Sequence, residues 1–358
     1  MLKHTRISDR KNSVAGNHAK TYLDQLKAKF NSAKVIKTLQ TLRGLRVLVV
    51  GDAVIDEYTF CRRLGMATKD PIVNCQFVST DVFAGGVCAI ANHVAGFTGV
   101  VRMITVVGND GRFKRVQHLL DSAIDCRLVV KGTSTTVKQR FIELDTSTKM
   151  FELTHMDDSP ISGVTEKKLL AVLAKDIAWA DMVLLADFGH GMITPSVINF
   201  LSKSGKFLAV NAQTNSANTP YNPVTKHKSM HYLSLDEKEL RLAFHSRYDP
   251  PEELLPRLAS ATGCKAINLT LGSNGAIYWH EGKPMSVPAF MPSSVLDSTG
   301  AGDAVLSVTS LLAYKGVSPE LLPFVGNCVG ALAVGILGNK EPVRPQALYD
   351  FITDLLSK

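Results

Sequence analysis

Short apolar runs alternate with helical periods along most of this chain from residue 46 onward. Residues 46–51, 101–108, 181–189, 207–212, 231–236 and 265–272 are almost continuously hydrophobic, as strands covered on both faces must be. Between them the 3.6-residue period predicts helices over 165–178, 194–204, 251–262 and 345–356, with Pro195 in a first-turn position. Strands alternating with helices predict an α/β protein, a three-layer α/β/α sandwich around a mainly parallel sheet.

Two stretches break the rhythm. Residues 57–83 and 133–155 alternate polar with apolar positions, as in Val137, Gln139 and Phe141 and then Met150, Glu152 and Leu153. That period of two predicts half-exposed hairpins, read here as a small β-sheet lid on the main layer. The first 45 residues form a separate arm with one amphipathic helix, its stripe running through Leu23, Leu26, Phe30 and Ala33. Residues 46–358 then make one large domain, and no internal repeat is visible.

Charge sharpens the view of the arm. Residues 1–46 carry eleven Lys and Arg against two acids, Asp9 and Asp24, so the net charge of +8 belongs to this segment and the body is close to neutral. Such a cluster suits nucleic acid or an acidic partner. No nucleic-acid motif accompanies it, however, and a basic helix packed on the body is the favoured reading. With 45% hydrophobic and 20% charged residues the composition is that of an ordinary globular chain. The longest apolar segment, 321–337, is interrupted by Pro323, Gly326 and Asn327, which predicts a buried helix and no membrane span. Six scattered cysteines without a C-x-x-C pair and a charged N-terminus lacking an apolar core lead to the expectation of a cytoplasmic protein with reduced thiols.

The chemistry concentrates in Asp297-Ser298-Thr299-Gly300-Ala301-Gly302-Asp303, followed by an apolar helix over 304–314. Glycines ahead of a helix allow main-chain N–H groups to converge, and the helix dipole adds positive potential, so an anion can sit there. Asp303, in the first turn, is then placed to take a proton from an attacking hydroxyl. The competing reading is a tight turn whose carboxylate only stabilises the helix.

The run Val295–Asp303 resembles the C-terminal signature of the ribokinase/phosphofructokinase-B family of carbohydrate kinases. The resemblance implies a ribokinase-like fold, ATP-dependent transfer to a sugar hydroxyl, Asp303 as catalytic base, and an anion hole from the main chain of Gly300, Ala301 and Gly302. It continues in Gly326–Gly335, similar to the closing helix beside the adenine, with Asn327 as a nucleotide contact. Gly51–Asp56 resembles the segment whose last acid binds sugar hydroxyls, here Asp56. Ala84–Asn92 is similar to the family's Gly-Gly motif, which implies sugar contacts from Gly85, Gly86 and Asn92. Thr270–Gly275 resembles the loop along the nucleotide, implying roles for Thr270, Gly272 and Gly275, and Asn211 matches an Asn near the triphosphate. The implied cofactors are ATP and Mg²⁺, with a monovalent cation such as K⁺, and the implied assembly is a homodimer through the lid.

One motif departs from the family. Where Asn-x-x-Glu is usual, the chain has Asp236-Glu237-Lys238-Glu239. Asp236 and Glu239 can still serve Mg²⁺ as oxygen ligands, or they form a helix N-cap with acids in the first turn. Lys138 and Arg140, two apart on one strand, share a face and suit an anionic sugar phosphate, or face solvent. The segment Asp187–Met192 is closer to the family's heptose-7-phosphate kinase branch than to ribokinase. His93 and His190 are read as packing residues. The chain contains no P-loop and no H-E-x-x-H. A regulatory member that binds without transferring, or a kinase for another sugar or a nucleoside, is the alternative.

Overall fold

The computed structural model describes residues 19–216, 218–290 and 295–357. Its strands are β1 (Val47–Gly51), β2 (Ala53–Met66), β3 (Val73–Gly86), β4 (Val101–Gly108), β5 (Ile124–Lys131), β6 (Thr136–Glu143), β7 (Thr148–His155), β8 (Met182–Asp187), β9 (Phe207–Ala212), β10 (Tyr232–Asp236), β11 (Ala266–Thr270), β12 (Ala276–His280) and β13 (Lys283–Val287). The helices are α1 (19–27), α2 (Ser32–Gln40), α3 (Val87–Thr98), α4 (Lys114–Gln117), α5 (Gly163–Asp176), α6 (Pro195–Ser202), α7 (Glu237–Ala243), α8 (Pro251–Thr262), α9 (Ala301–Tyr314), α10 (Leu321–Ala333) and α11 (Pro345–Ser357).

Nine strands form one sheet in the order β13-β12-β11-β10-β9-β8-β1-β4-β5, with only β12 antiparallel to its neighbours. Along β1 the burial alternates between two cores. Val47 and Val49 pack with residues of α2, α3, α9, α10 and α11, while Leu48 and Val50 pack with residues of α5, α6 and α8. This two-sided burial is why β1, β4, β8, β9, β10 and β11 read as unbroken hydrophobic runs. The ribokinase-like α/β sandwich is thus present, and its six central strands are the six runs of the sequence pattern.

Three strands lie outside that pattern. β5 is an edge strand with most residues partly or fully exposed, so its sequence is not hydrophobic enough to stand out. β12 and β13 form a hairpin turned at Glu281 (φ 48°) and Gly282 (φ 89°); Glu-Gly is a weaker turn signal than Asn-Gly.

Four strands form the lid, in the order β3-β2-β6-β7. β2 leaves β1 after a single residue, Asp52, and β3 runs through Gly85 and Gly86 directly into α3. The lid is therefore anchored at the carboxyl edge of the main sheet. The single helix expected for the arm is corrected to two. α1 ends at residue 27, and Asn31 caps α2 by accepting the Lys34 N–H at 2.8 Å. The break re-phases the stripe, so Leu26, Val35 and Leu39 are buried whereas Ala33 is exposed. The apolar segment over 321–337 is helical only as α10. Among the described residues, no helix is long and apolar enough to cross a membrane.

Candidate active site

In sequence β1 is followed by β4 on one side, and the chain later returns to place β8 on the other. Such a reversal of strand order opens a crevice at the carboxyl ends of the strands. Asp56, Gly86, Lys138 and Arg140 line this crevice from the lid side, and Gly300, Gly302 and Asp303 line it from the start of α9. Phe188, Gln213, Thr299 and Asn339 complete the wall. Lys138 and Arg140 therefore share a face, and that face is turned to the crevice.

Asp303 is the third residue of α9 and is 7% exposed. Gly300 caps the helix at φ +82°, a conformation that favours glycine, and a Cβ there would come within 2.2 Å of Asn339 Oδ1 and displace that side chain. Ala301 N–H donates to Ser298 O at 3.3 Å. By contrast, the N–H groups of Gly302 and Asp303 donate to no protein atom among the described residues. Gly300 N–H is likewise without a protein partner among them, so within the expected Gly300, Ala301 and Gly302 set only the Ala301 amide is engaged, and the Asp303 amide adds to the free ones. Burial first, and then the charge of Asp56, push the Asp303 carboxyl up to about 7, while the Gln213 hydrogen bond and Lys138 oppose the shift. Gln213 Nε2 donates to Asp303 Oδ1 at 2.7 Å, and among the described residues Asp303 forms no ion pair.

Asp56 behaves differently. Its Oδ1 accepts from Arg140 Nη1 at 2.5 Å and its Oδ2 from Asn339 Nδ2 at 3.2 Å. Arg140 also reaches Glu152 at 2.9 Å, so its charge is matched twice over. Gly85 explains how this carboxylate fits, since a Cβ at that position would lie 2.1 Å from Asp56 Oδ2. Gly86 has φ +57° and its Cβ would meet Asp52 O at 2.6 Å. Asp52 itself is buried and accepts the N–H groups of Phe188, His190 and Met192 at 3.0, 3.4 and 3.3 Å. It thus holds the turn after β8 in place.

The segment leading into α9 is tied to the lid. Asp297 Oδ2 accepts from Tyr58 Oη at 2.6 Å and from Gly338 N–H at 3.1 Å. Its Oδ1 accepts from Lys149 Nζ at 2.6 Å and from Thr299 N–H at 3.0 Å. Burial would raise this carboxyl, but the bonds from Lys149 and Tyr58 prevail and bring it down to about 2.

Asn211 and Thr270, expected along a nucleotide, and Asp236, expected at a metal, stand at the carboxyl ends of β9, β11 and β10, which are neighbours in the sheet. Asn211 Nδ2 donates to Ser234 O at 2.8 Å, leaving its Oδ1 buried without a partner. Asp236 lies opposite Thr270 in the β10–β11 register. Gly272, at φ +58°, has open space around its Cβ position, whereas a Cβ on Gly275 would strike Val287 O at 2.0 Å. Gly275 is thus a packing glycine.

Asp236 and Glu239 form a reciprocal capping box on α7: Glu239 N–H donates to Asp236 Oδ1 at 2.7 Å and Asp236 N–H donates to Glu239 Oε2 at 2.8 Å. The N-cap reading of these letters is therefore realised. Among the described residues no group of three or more His, Cys, Asp or Glu could hold a metal ion. One expectation is corrected. Asn92 bridges to the segment after α4, donating to Leu119 O at 3.0 Å and accepting from Asp121 N–H at 2.9 Å, so it does not line the crevice. Asn327 donates to Val287 O at 3.2 Å and Pro288 O at 2.8 Å; it fixes the chain after β13. His93 accepts from Val343 N–H at 3.1 Å as a packing residue. His190 is buried with both ring nitrogens unpartnered.

Gln213, Thr299 and Asn339 were not among the expected site residues. Gln213 lies two residues beyond Asn211, and the period of two places both on one side of the extended chain. Asn339 follows Gly338 in a loop whose sequence carries no signal beyond a turn.

A profile described as pfkB family carbohydrate kinase matches residues 45–345. The chain belongs to this family. PfkB kinases are phosphotransferases that act on a sugar hydroxyl. The bifunctional protein HldE of Bradyrhizobium diazoefficiens is 29% identical over 313 residues, 84% of this chain and 61% of that protein. The chain thus spans about three fifths of the length of this curated relative. The ribokinase of Thermotoga maritima superposes with a TM-score of 0.68 at 17% identity, covering 86% of this chain and 99% of that one. Arabidopsis thaliana ribokinase, solved with ribose and ATP, superposes with a TM-score of 0.65 at 19% identity over 86% and 99% of the two chains. The pfkB signature accordingly falls on the crevice side of the fold, at the start of α9.

Proposed function

We propose that this crevice transfers the γ-phosphate of ATP to a hydroxyl of a sugar phosphate, a heptose 7-phosphate foremost, with Asp303 as general base. The observation that carries the reading is a carboxylate buried without a counter-ion, raised to about 7, beside two unpartnered main-chain N–H groups. A base poised near neutrality is what proton abstraction at physiological pH requires. Phosphoryl transfer spreads charge over the equatorial oxygens, and preformed N–H donors at a helix start stabilise such charge.

The two lid cations divide the substrate work. The Lys138 ammonium forms no hydrogen bond or ion pair among the described residues, which leaves its charge for the phosphate of the acceptor. Arg140 is neutralised by Asp56 and Glu152 and acts by holding Asp56 toward the sugar hydroxyls. The preference for a heptose 7-phosphate rests on the Asp187–Met192 resemblance, supported by the likeness to HldE.

The residues present fit a nucleotide. Open space at Gly302 and Gly272 leaves room for phosphate oxygens, and the row from Gln213 through Asp236 to Thr270 follows adjacent strand ends. Glu239, a buried carboxylate capped with Asp236 and within electrostatic reach of Asp303, suits Mg²⁺, which keeps several waters and needs few protein ligands. When bound, the ion would neutralise phosphate charge, with Glu239 organising its water shell. Dimerisation through the lid is supported by the exposure of Leu64, Met66, Val73, Phe77, Phe151 and Leu153 on it.

The reading is tested by following ADP release with a panel of free and phosphorylated sugars that includes heptose 7-phosphates. Turnover is expected with a sugar phosphate and not with the corresponding free sugar. A chain that consumes no ATP with any member of the panel would overturn the proposal.

A further inference from the structure

Asp297 accepts four hydrogen bonds beside the crevice, and its only counter-charge among the described residues comes from the lid. Lys149, on the outer lid strand β7, places Nζ 2.6 Å from Asp297 Oδ1 and 2.8 Å from Thr299 Oγ1, and 5.4 Å from the centre of the Tyr58 ring. The Asp297 side chain is 3% exposed whereas that of Lys149 is 39% exposed. The ammonium group therefore reaches inward from the surface to a buried anion. Thr299 is bound at its hydroxyl by Lys149 and at its N–H by Asp297, and the next residue, Gly300, caps α9.

We propose that Lys149 is a positioning residue, a tethered cation that holds the 297–300 turn so that the Gly302 and Asp303 amides face the crevice, in the place of a free monovalent ion. The inference rests on the kinase reading above. A buried carboxylate left without its partner charge is strongly disfavoured. With Lys149 removed, Asp297 would either take up a proton or turn toward solvent, and each change drags Thr299 and Gly300 with it. Because β7 is an edge strand of the lid, the turn acquires its cation only when the lid is seated. Lid seating and assembly of the phosphate-binding amides thereby become one event. It also follows that the intact chain needs no added monovalent cation, since the ammonium is supplied by the protein.

The test compares the full chain with Lys149→Met, which keeps the length of the stem, in buffers whose only monovalent cation is tetramethylammonium, potassium or ammonium. Turnover on the accepted sugar phosphate and thermal melting are both read. The wild type should show the same turnover in all three. Lys149→Met should lose on the order of a hundredfold in turnover in tetramethylammonium, the cost of a misplaced reacting group, with little change in KM for the sugar. Ammonium or potassium should restore part of the turnover and raise the melting temperature of this variant but not of the wild type. Lys149→Met/Asp297→Asn, in which both charges are gone, should fold, remain slow and show no response to ammonium. It serves if the single variant does not fold. Wild-type turnover in either variant, a loss that no small cation repairs, or a wild type that itself needs potassium would overturn the inference. Failure of the kinase reading is separable: the wild type would then be inactive on every sugar, while the melting shift that ammonium or potassium produces in Lys149→Met but not in the wild type would still report on Lys149.

Discussion

The side-chain amide of Gln213 donates to Oδ1 of Asp303 at 2.7 Å, and no other side chain is hydrogen-bonded to that carboxylate among the described residues. Burial and the charge of Asp56 lift Asp303 to about 7, and the Gln213 bond pulls it back toward the ordinary carboxylate range. The rate of the wild type, as kcat/KM, should therefore climb as pH passes about 7. Gln213→Ala removes a donor that favours the charged form, so the acidic limb of its profile should move to higher pH. An unmoved limb in the variant would mean that Gln213 does not tune the base.

Asp303→Asn should lower turnover by at least about a hundredfold, the lower end for loss of a general base, and should also stabilise the protein at alkaline pH. The sign follows from linkage. The unfolded chain releases this proton near the usual carboxylate value and the folded chain near 7. Between those limits the native state binds the extra proton, so its stability falls as pH rises from about 4 to about 7. Above that range the wild type carries a buried charge that the amide variant lacks, worth roughly a few kcal/mol. Urea unfolding at pH 5 and pH 8 reads the effect: the variant's advantage should be clearly larger at pH 8 than at pH 5. Equal advantages at both pH values would contradict it.

How much of this was legible in the sequence follows from the range over which each feature acts. The six central strands were readable because two-sided burial writes an unbroken hydrophobic run into each one. Asp56, Gly85, Gly86, Gly300 and Asp303 were readable because glycine–acid motifs are local, and the structure gathers Lys138 and Arg140 onto the same crevice. Gln213, Asn339 and Lys149 act across 90, 283 and 148 residues of sequence respectively, and no local pattern encodes such partners. Asn92 and Asn327 sit inside the motifs yet serve neighbouring main chain. The letters Asp236–Glu239 fit both a capping box and a metal shell, and only coordinates reveal the first.

Gly85→Ala isolates the placement of Asp56. The added methyl would fall 2.1 Å from Asp56 Oδ2, so the carboxylate must swing away from its bonds to Arg140 and Asn339. The acceptor sugar should bind at least about tenfold more weakly, the worth of one charge-assisted hydrogen bond, while ATP affinity stays the same. Isothermal titration with each ligand separates the two. A loss shared equally by both ligands would point to general disruption instead.

The lid exposes Phe77 at 65% and Phe151 at 59%, and the Phe151 ring stacks on Phe141 at 4.4 Å. Aromatic groups set this far into solvent on a sheet face are expected to be covered by a second copy. Phe77→Asp/Phe151→Asp should shift the solution mass from dimer to monomer by light scattering, with no loss of melting temperature once dilution is accounted for. A wild type that is already monomeric at micromolar concentration would dispose of the lid interface.

The arm makes two kinds of contact with the body, and their energies differ in kind. Lys29 pairs with Glu320 at 2.9 Å with both side chains well exposed, a geometry worth about 0–1 kcal/mol. Val35 and Leu39 of α2, in contrast, are 0% and 1% exposed and lie in the same core as α11. Leu39→Ala should therefore destabilise the protein by about 2–5 kcal/mol, and Lys29→Ala by no more than about 1 kcal/mol, as measured by urea unfolding. Added salt should erase the small effect and leave the large one. If truncation at residue 41 gave a chain as stable as the wild type, the buried face of α2 would not be the seat of this coupling, and the basic segment would have to be understood through its charge alone.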